Sequence, residues 1–224
     1  MTSMGVPSTA PSRRALLASG LGFAAAAAFP RRASGTGLFG RTELRLAHRD
    51  SVLAWQAMLG RHSDQERNDF VSCPERLRFL AASCGARRWC EILAGPFPKD
   101  ALELLRAVNA RINGESRMAD NVVWGTEEYW ATPREFLALG GDCEDFAIAK
   151  FMLLLRQGWP EPALRLAVVQ DRRSDRLHAV IAARLGDEAF ILDNLDADLR
   201  REGDCSHYRP VYAVSETGLF LYRE

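Results

Sequence analysis

Residues 146–155 are apolar at every position but Lys150. A helix apolar around nearly its whole circumference is enclosed on all sides. The run follows the polar stretch Gly140-Gly141-Asp142-Cys143-Glu144-Asp145 and stops before Gly158-Trp159-Pro160, a breaker by composition. Upstream the spacing is also helical. Leu44, Ala47, Val52, Trp55, Met58 and Leu59 recur at helix intervals over residues 43–60. A charged surface stretch, residues 62–68, comes next, and Leu77, Leu80 and Ala81 suggest a second helix. Leu102, Leu105, Val108, Asn109 and Ile112 predict a third, with Asp100 as N-cap and its stop at Gly114. Residues 114–131 read as a loop rich in aromatics. Thr132-Pro133-Arg134-Glu135 then opens a short helix, Thr132 capping, Pro133 at the first helical position and Glu135 closing a capping box.

Past Pro160 the period changes. Residues 164–169, 177–185, 189–192, 211–214 and 219–222 predict strands. Helices first and strands afterwards predict an α+β fold, a helical N-terminal part followed by an antiparallel sheet, rather than a doubly wound one.

The N-terminus stands apart from this pattern. Ser12-Arg13-Arg14 precedes an Ala-rich apolar run over residues 15–29, shorter than the roughly 20 residues of a membrane span. A charged start, a short apolar run and small residues at Ala26-Ala27-Ala28 predict an export signal, the paired arginines suggesting the twin-arginine route. We therefore expect residues 1–40 to be signal and leader and residues 41–224 to be a single domain, periplasmic and not membrane-spanning once processed. Acidic and basic residues balance at 29 each, which argues against nucleic-acid binding.

Export bears on the five cysteines, because disulfides persist outside the cytoplasm. One disulfide among Cys73, Cys84 and Cys90 and a set of buried free thiols are both compatible with their spacing, which is not that of a zinc site. Cys143 is different. It falls at the first turn of the apolar helix, where free backbone N–H groups and the positive end of the helix dipole favour thiolate over thiol. A thiolate nucleophile needs a base that protonates the leaving group. His48 and His62 sit in charged helical surroundings and are expected to be solvated. His178 interrupts an apolar strand, and Asp193 ends the next one, so adjacent strands can set a carboxylate against the imidazole. Asp193 could instead cap its turn. The Cys143 N–H is a candidate oxyanion donor, and the Trp130 indole N–H is a weaker one than its packing role.

The residues resemble those of the bacterial transglutaminase-like cysteine proteases, periplasmic enzymes that process adhesins. The resembling pieces are Val108-Asn109, Ile112-Asn113, Trp124-Gly125, Tyr129 through Phe136, Gly141 through Lys150, His178 through Ile181, Leu192 through Leu195, and Arg209 through Tyr212. The resemblance implies a papain/transglutaminase-like fold with Cys143, His178 and Asp193 as catalytic triad. It implies Ca²⁺ held by Asp142 and Glu144, with Asp145 as a further ligand, and hard carboxylate oxygens suit that ion. It implies a large surface adhesin as protein substrate and an inhibitory inner-membrane cyclic-dinucleotide receptor as partner. Two other readings keep the same residues. A transglutaminase would pass the acyl group to an amine, and a calcium-responsive binding module would have lost turnover.

Overall fold

A computed structural model describes residues 37–46, 52–68 and 84–223. Its elements in chain order are β1 (Thr42–Leu46), α1 (Leu53–Asn68), α2 (Cys84–Ala94), α3 (Ala101–Asn113), α4 (Asp120–Val123), α5 (Pro133–Leu139) and α6 (Cys143–Arg156). Six strands follow: β2 (Leu164–Asp171), β3 (Arg176–Leu185), β4 (Glu188–Leu192), β5 (Arg200–Arg201), β6 (Tyr208–Ser215) and β7 (Gly218–Arg223). They form one antiparallel sheet in the order β1-β7-β6-β2-β3-β4-β5. The mixed helix and antiparallel-sheet architecture is the one the pattern predicts.

Local signals explain most boundaries. Asp100 caps α3 by accepting from the Glu103 N–H at 3.0 Å. The capping box of α5 forms in both directions, Glu135 N–H to Thr132 Oγ1 at 3.3 Å and Thr132 N–H to Glu135 Oε2 at 2.8 Å. Gly140 ends α5 at φ +83°, a backbone region that favours glycine.

α6 packs on β3 and β2. Phe146, Ile148, Phe151, Leu153 and Leu154 are each at most 1% exposed. Truncating one of the aromatic members to Ala costs about 3–5 kcal/mol in such surroundings. Against the opposite face of the sheet, Ala167, Val169, Val180, Ala182 and Ala213 form a second buried layer with Leu38. The helix that starts at Cys143 is thus clamped by core contacts along its length, which fixes the position of its first turn.

Several expectations need correction. Within residues 114–131, read as a loop, Asp120–Val123 form the short helix α4. Residues 42–46 are a strand, paired with β7 from Thr42↔Arg223 to Leu46↔Leu219. The alternation Glu43-Leu44-Arg45-Leu46 has period two, and the helical reading joined it to Val52 and Trp55 across a break. Residues 62–68 continue α1 rather than forming a separate stretch. There His62 is buried, not solvated: 7% exposed, with Nε2 3.4 Å from Glu66 Oε1. The helix predicted around Leu77, His48 and Cys73 all lie outside the described residues. Cys90 is disulfide-bonded while Cys143 and Cys205 are free. Among the described residues no helix is long and apolar enough to cross a membrane.

Candidate active site

The backbone leading into α6 explains the glycine pair. Met118 N–H bonds Gly141 O at 2.9 Å and Gly141 N–H bonds Ser116 O at 3.3 Å. A Cβ on Gly140 would sit 2.6 Å from Met118 Cγ, and one on Gly141 would sit 2.7 Å from Asp145 Cβ. Neither position has room for a side chain. The chain therefore turns sharply and delivers Cys143 at the mouth of α6.

β3 carries His178 and the end of β4 carries Asp193. Ile181 pairs with Leu192 across these strands, so the two residues lie at the same end of the hairpin. His178 Nε2 is 2.8 Å from Asp193 Oδ1, with both residues buried. Leu195 N–H donates to the same oxygen at 2.8 Å, and the Tyr208 hydroxyl donates to Oδ2 at 2.5 Å. Asp193 thus performs both roles that the sequence left open, imidazole partner and turn cap. Burial opposes its ionisation. The hydrogen bond and charge of His178, with Tyr208 and Leu195, outweigh that and hold the carboxyl at about 2.

With Nε2 committed to Asp193, Nδ1 is the edge of the imidazole left for a nucleophile. Cys143 lies against the same strand, since its sulfur receives the backbone N–H of Ala179, the residue after His178. In this structure its thiol donates to Glu144 Oε2 at 3.2 Å. Burial, then the Glu144 charge and hydrogen bond, push the thiol up, against the lowering expected from the helix end. Burial and the two flanking acids, Glu144 and Asp142, outweigh whatever lowers the thiol, the Ala179 N–H included.

Those acids belong to a larger group. Asp142, Cys143 and Glu144 bring potential ligand atoms together within 4.8 Å, and so do Asp120, Asp142 and Asp145. Asp142 is shared, which links four carboxylates in one region. Burial raises Asp142 and Asp145 to about 8 and Asp120 to about 6, and it raises Glu144 as well. Asp142 Oδ1 and Asp120 Oδ1 are buried without a hydrogen-bond partner. Asp145 is the exception in character: one oxygen takes Ala131 N–H at 2.6 Å and the other Asp142 N–H at 3.3 Å. Buried, mutually repelling carboxylates with orphaned oxygens suit a hard divalent cation. Asp120 escaped the sequence reading because it opens the short helix α4, 22 positions before Asp142, with no ligand spacing to link the two.

The Trp130 indole N–H, a candidate oxyanion donor, is engaged elsewhere. Trp130 is 4% exposed and its indole N–H donates to Glu128 Oε1 at 2.8 Å. Tyr208 was also missed; a lone Tyr before Arg209-Pro210 carries no local sign of its partner.

The helix-then-antiparallel-sheet fold, with a cysteine at a buried helix mouth beside a His–Asp pair, defines the transglutaminase-like class of thiol hydrolases. The model of the bacterial transglutaminase-like cysteine proteinase family (BTLCP) matches residues 82–217, and the chain belongs to that family as a cysteine protease. Among solved structures it is similar to calcium-bound LapG of Legionella pneumophila. That match has 28% identity and a TM-score of 0.55, and it covers 61% of this chain and 77% of the other. The EGTA-treated form of the same protein matches at 28% identity and a TM-score of 0.56, with 62% and 77% covered. A search among curated proteins returns no match.

Proposed function

We propose that Cys143, His178 and Asp193 are the catalytic triad of a periplasmic endopeptidase that cuts a large surface adhesin. The observation that carries this is the buried His178–Asp193 pair, which leaves imidazole Nδ1 free on the strand that touches the Cys143 sulfur. The Cys143 thiolate attacks the scissile carbonyl. Imidazolium His178 protonates the leaving amine, and water then resolves the thioester. Asp193 keeps the proton on Nε2 and stabilises the imidazolium. The developing oxyanion faces the N-terminus of α6, where the Cys143 N–H is available.

Asp142 and Glu144, with Asp120 and Asp145 beside them, would hold calcium. A bound cation would supply positive charge that offsets the repulsion between these carboxylates and the thiolate. Ligation would also draw Glu144 away from the thiol it now accepts from. LapG was studied both calcium-bound and EGTA-treated, which supports a metal-dependent reading. Residues 1–40 act as signal and leader on this account, and a protein inhibitor at the inner membrane, responsive to a cyclic dinucleotide, is the expected regulator.

The test is incubation of the purified mature protein with a recombinant adhesin fragment in CaCl₂. Wild type should yield one new N-terminus by mass spectrometry, and Cys143→Ala should yield none. Cleavage by Cys143→Ala would remove the assignment.

A further inference from the structure

Asp193 is followed by a loop whose carbonyls lie outside the strand ladder, because β4 ends at Leu192. Carbonyls in such a loop need other donors. Three side chains at four-residue intervals supply them. Asn109 Nδ2 donates to Asp196 O at 3.1 Å and Ala197 O at 3.4 Å. Asn113 Nδ2 donates to Asp193 O at 2.8 Å and Asp196 O at 3.0 Å. The Arg117 guanidinium donates to Asn194 O. Asn109 and Asn113 are one turn apart on α3 and share a face. Arg117 continues the row beyond the helix end.

Arg117 has a second attachment. Its backbone bridges to Gly141, two residues before the nucleophile, through the Met118–Gly141 and Gly141–Ser116 hydrogen bonds. One residue therefore ties the segment entering Cys143 to the loop leaving Asp193. Lys150, buried on α6, is held down chiefly by its burial, with the Asp193 charge opposing that and the Arg117 charge adding to it.

We propose that Arg117, together with Asn113, is a positioning pair that holds the Asp193 carboxylate on His178 and acts through Asp193. The proposal rests on the Cys143–His178–Asp193 assignment. A rigid loop keeps Oδ1 at hydrogen-bond distance from Nε2. A loose one lets the carboxylate rotate away and leaves the imidazolium less stabilised.

The experiment is a double-mutant cycle that needs no substrate. The rate of Cys143 modification by iodoacetamide is measured at pH 6.5 in CaCl₂, by mass spectrometry of the Cys143 peptide. The proteins are wild type, Arg117→Ala, Arg117→Lys, Asp193→Ala, His178→Ala and the Arg117→Ala with Asp193→Ala double variant, with surface Arg106→Ala as control. Arg117→Ala should slow modification about tenfold, the scale for losing a hydrogen bond from a charged donor, and it should add nothing in the Asp193→Ala background. Arg117→Lys, which keeps a donor for Asn194 O, should recover part of the rate. An Arg117→Ala rate within about twofold of wild type, or an equal loss in both backgrounds, overturns the proposal. If Arg117→Ala does not fold, Asn113→Ala takes its place under the same criteria. A wild-type rate no faster than His178→Ala has a different signature and removes the triad assignment together with this inference.

Discussion

Tyr208 donates its hydroxyl to Asp193 Oδ2, the carboxylate oxygen that His178 does not use. The Asp193 carboxylate is therefore bonded on both oxygens by buried donors. Tyr208→Phe removes a hydrogen bond to a buried charge, a change of about 1.5–3 kcal/mol. It should lower the rate of peptide-bond cleavage roughly tenfold while leaving KM nearly unchanged, because the Tyr208 hydroxyl is bonded to Asp193 and acts through it. Steady-state kinetics on the purified variant checks this; a rise in KM at constant kcat would place Tyr208 elsewhere.

Replacing the acid itself should do more. Asp193→Ala leaves the His178 imidazole without its Nε2 acceptor, so the proton is no longer fixed there and the imidazolium loses its partner. A fall of about 10²–10⁴-fold in kcat/KM is expected, with circular dichroism unchanged. A loss below about fivefold would mean that the pair is structural.

Acid stability gives an independent reading. The folded carboxyl of Asp193 is held at about 2, below the usual value of about 3.9. A depressed acid contributes stability that is fully present above about pH 4 and is lost as pH falls toward about 2. The size is of order 2 kcal/mol. Urea unfolding of wild type and Asp193→Asn should show a stability gap at pH 6 that narrows through this window. A gap constant from pH 6 to pH 2.5 contradicts the assigned ionisation.

Calcium should stabilise the protein as well as activate it, since ligands that bind only the folded state raise its unfolding temperature. Wild type should melt several degrees higher in 1 mM CaCl₂ than in EGTA, roughly 3–8 °C for a domain of this size. Asp142→Asn with Glu144→Gln should abolish that difference, and Asp120→Asn should demand more calcium for the same shift. An Asp120→Asn titration identical to wild type removes Asp120 from the site.

Legibility followed the range of the interactions. Asp100, Thr132 and Glu135 could be read from sequence because caps bond within three positions. The apolar run of α6 and the strand periods after Pro160 follow from burial on a nearly continuous face. The His178–Asp193 pair was accessible as two neighbouring strands in a hairpin-like order. Asp120, Tyr208 and Arg117 were not, because each meets its partner across 15 to 77 positions or through a shared cluster, and nothing local marks it. The strand at residues 42–46 was missed for a related reason: β1 is defined by β7, at the far end of the chain. The direction of the Cys143 shift also needed the structure, since a helix end is visible in sequence and the burial that outweighs it is not.

The most direct measurement is the Cys143 Sγ to His178 Nδ1 distance in a crystal structure of the calcium-loaded protein. The account predicts hydrogen-bond reach, about 3.5 Å, with Glu144 turned onto the ion. A calcium-loaded structure with the sulfur still on Glu144 and more than about 6 Å from the imidazole would contradict it.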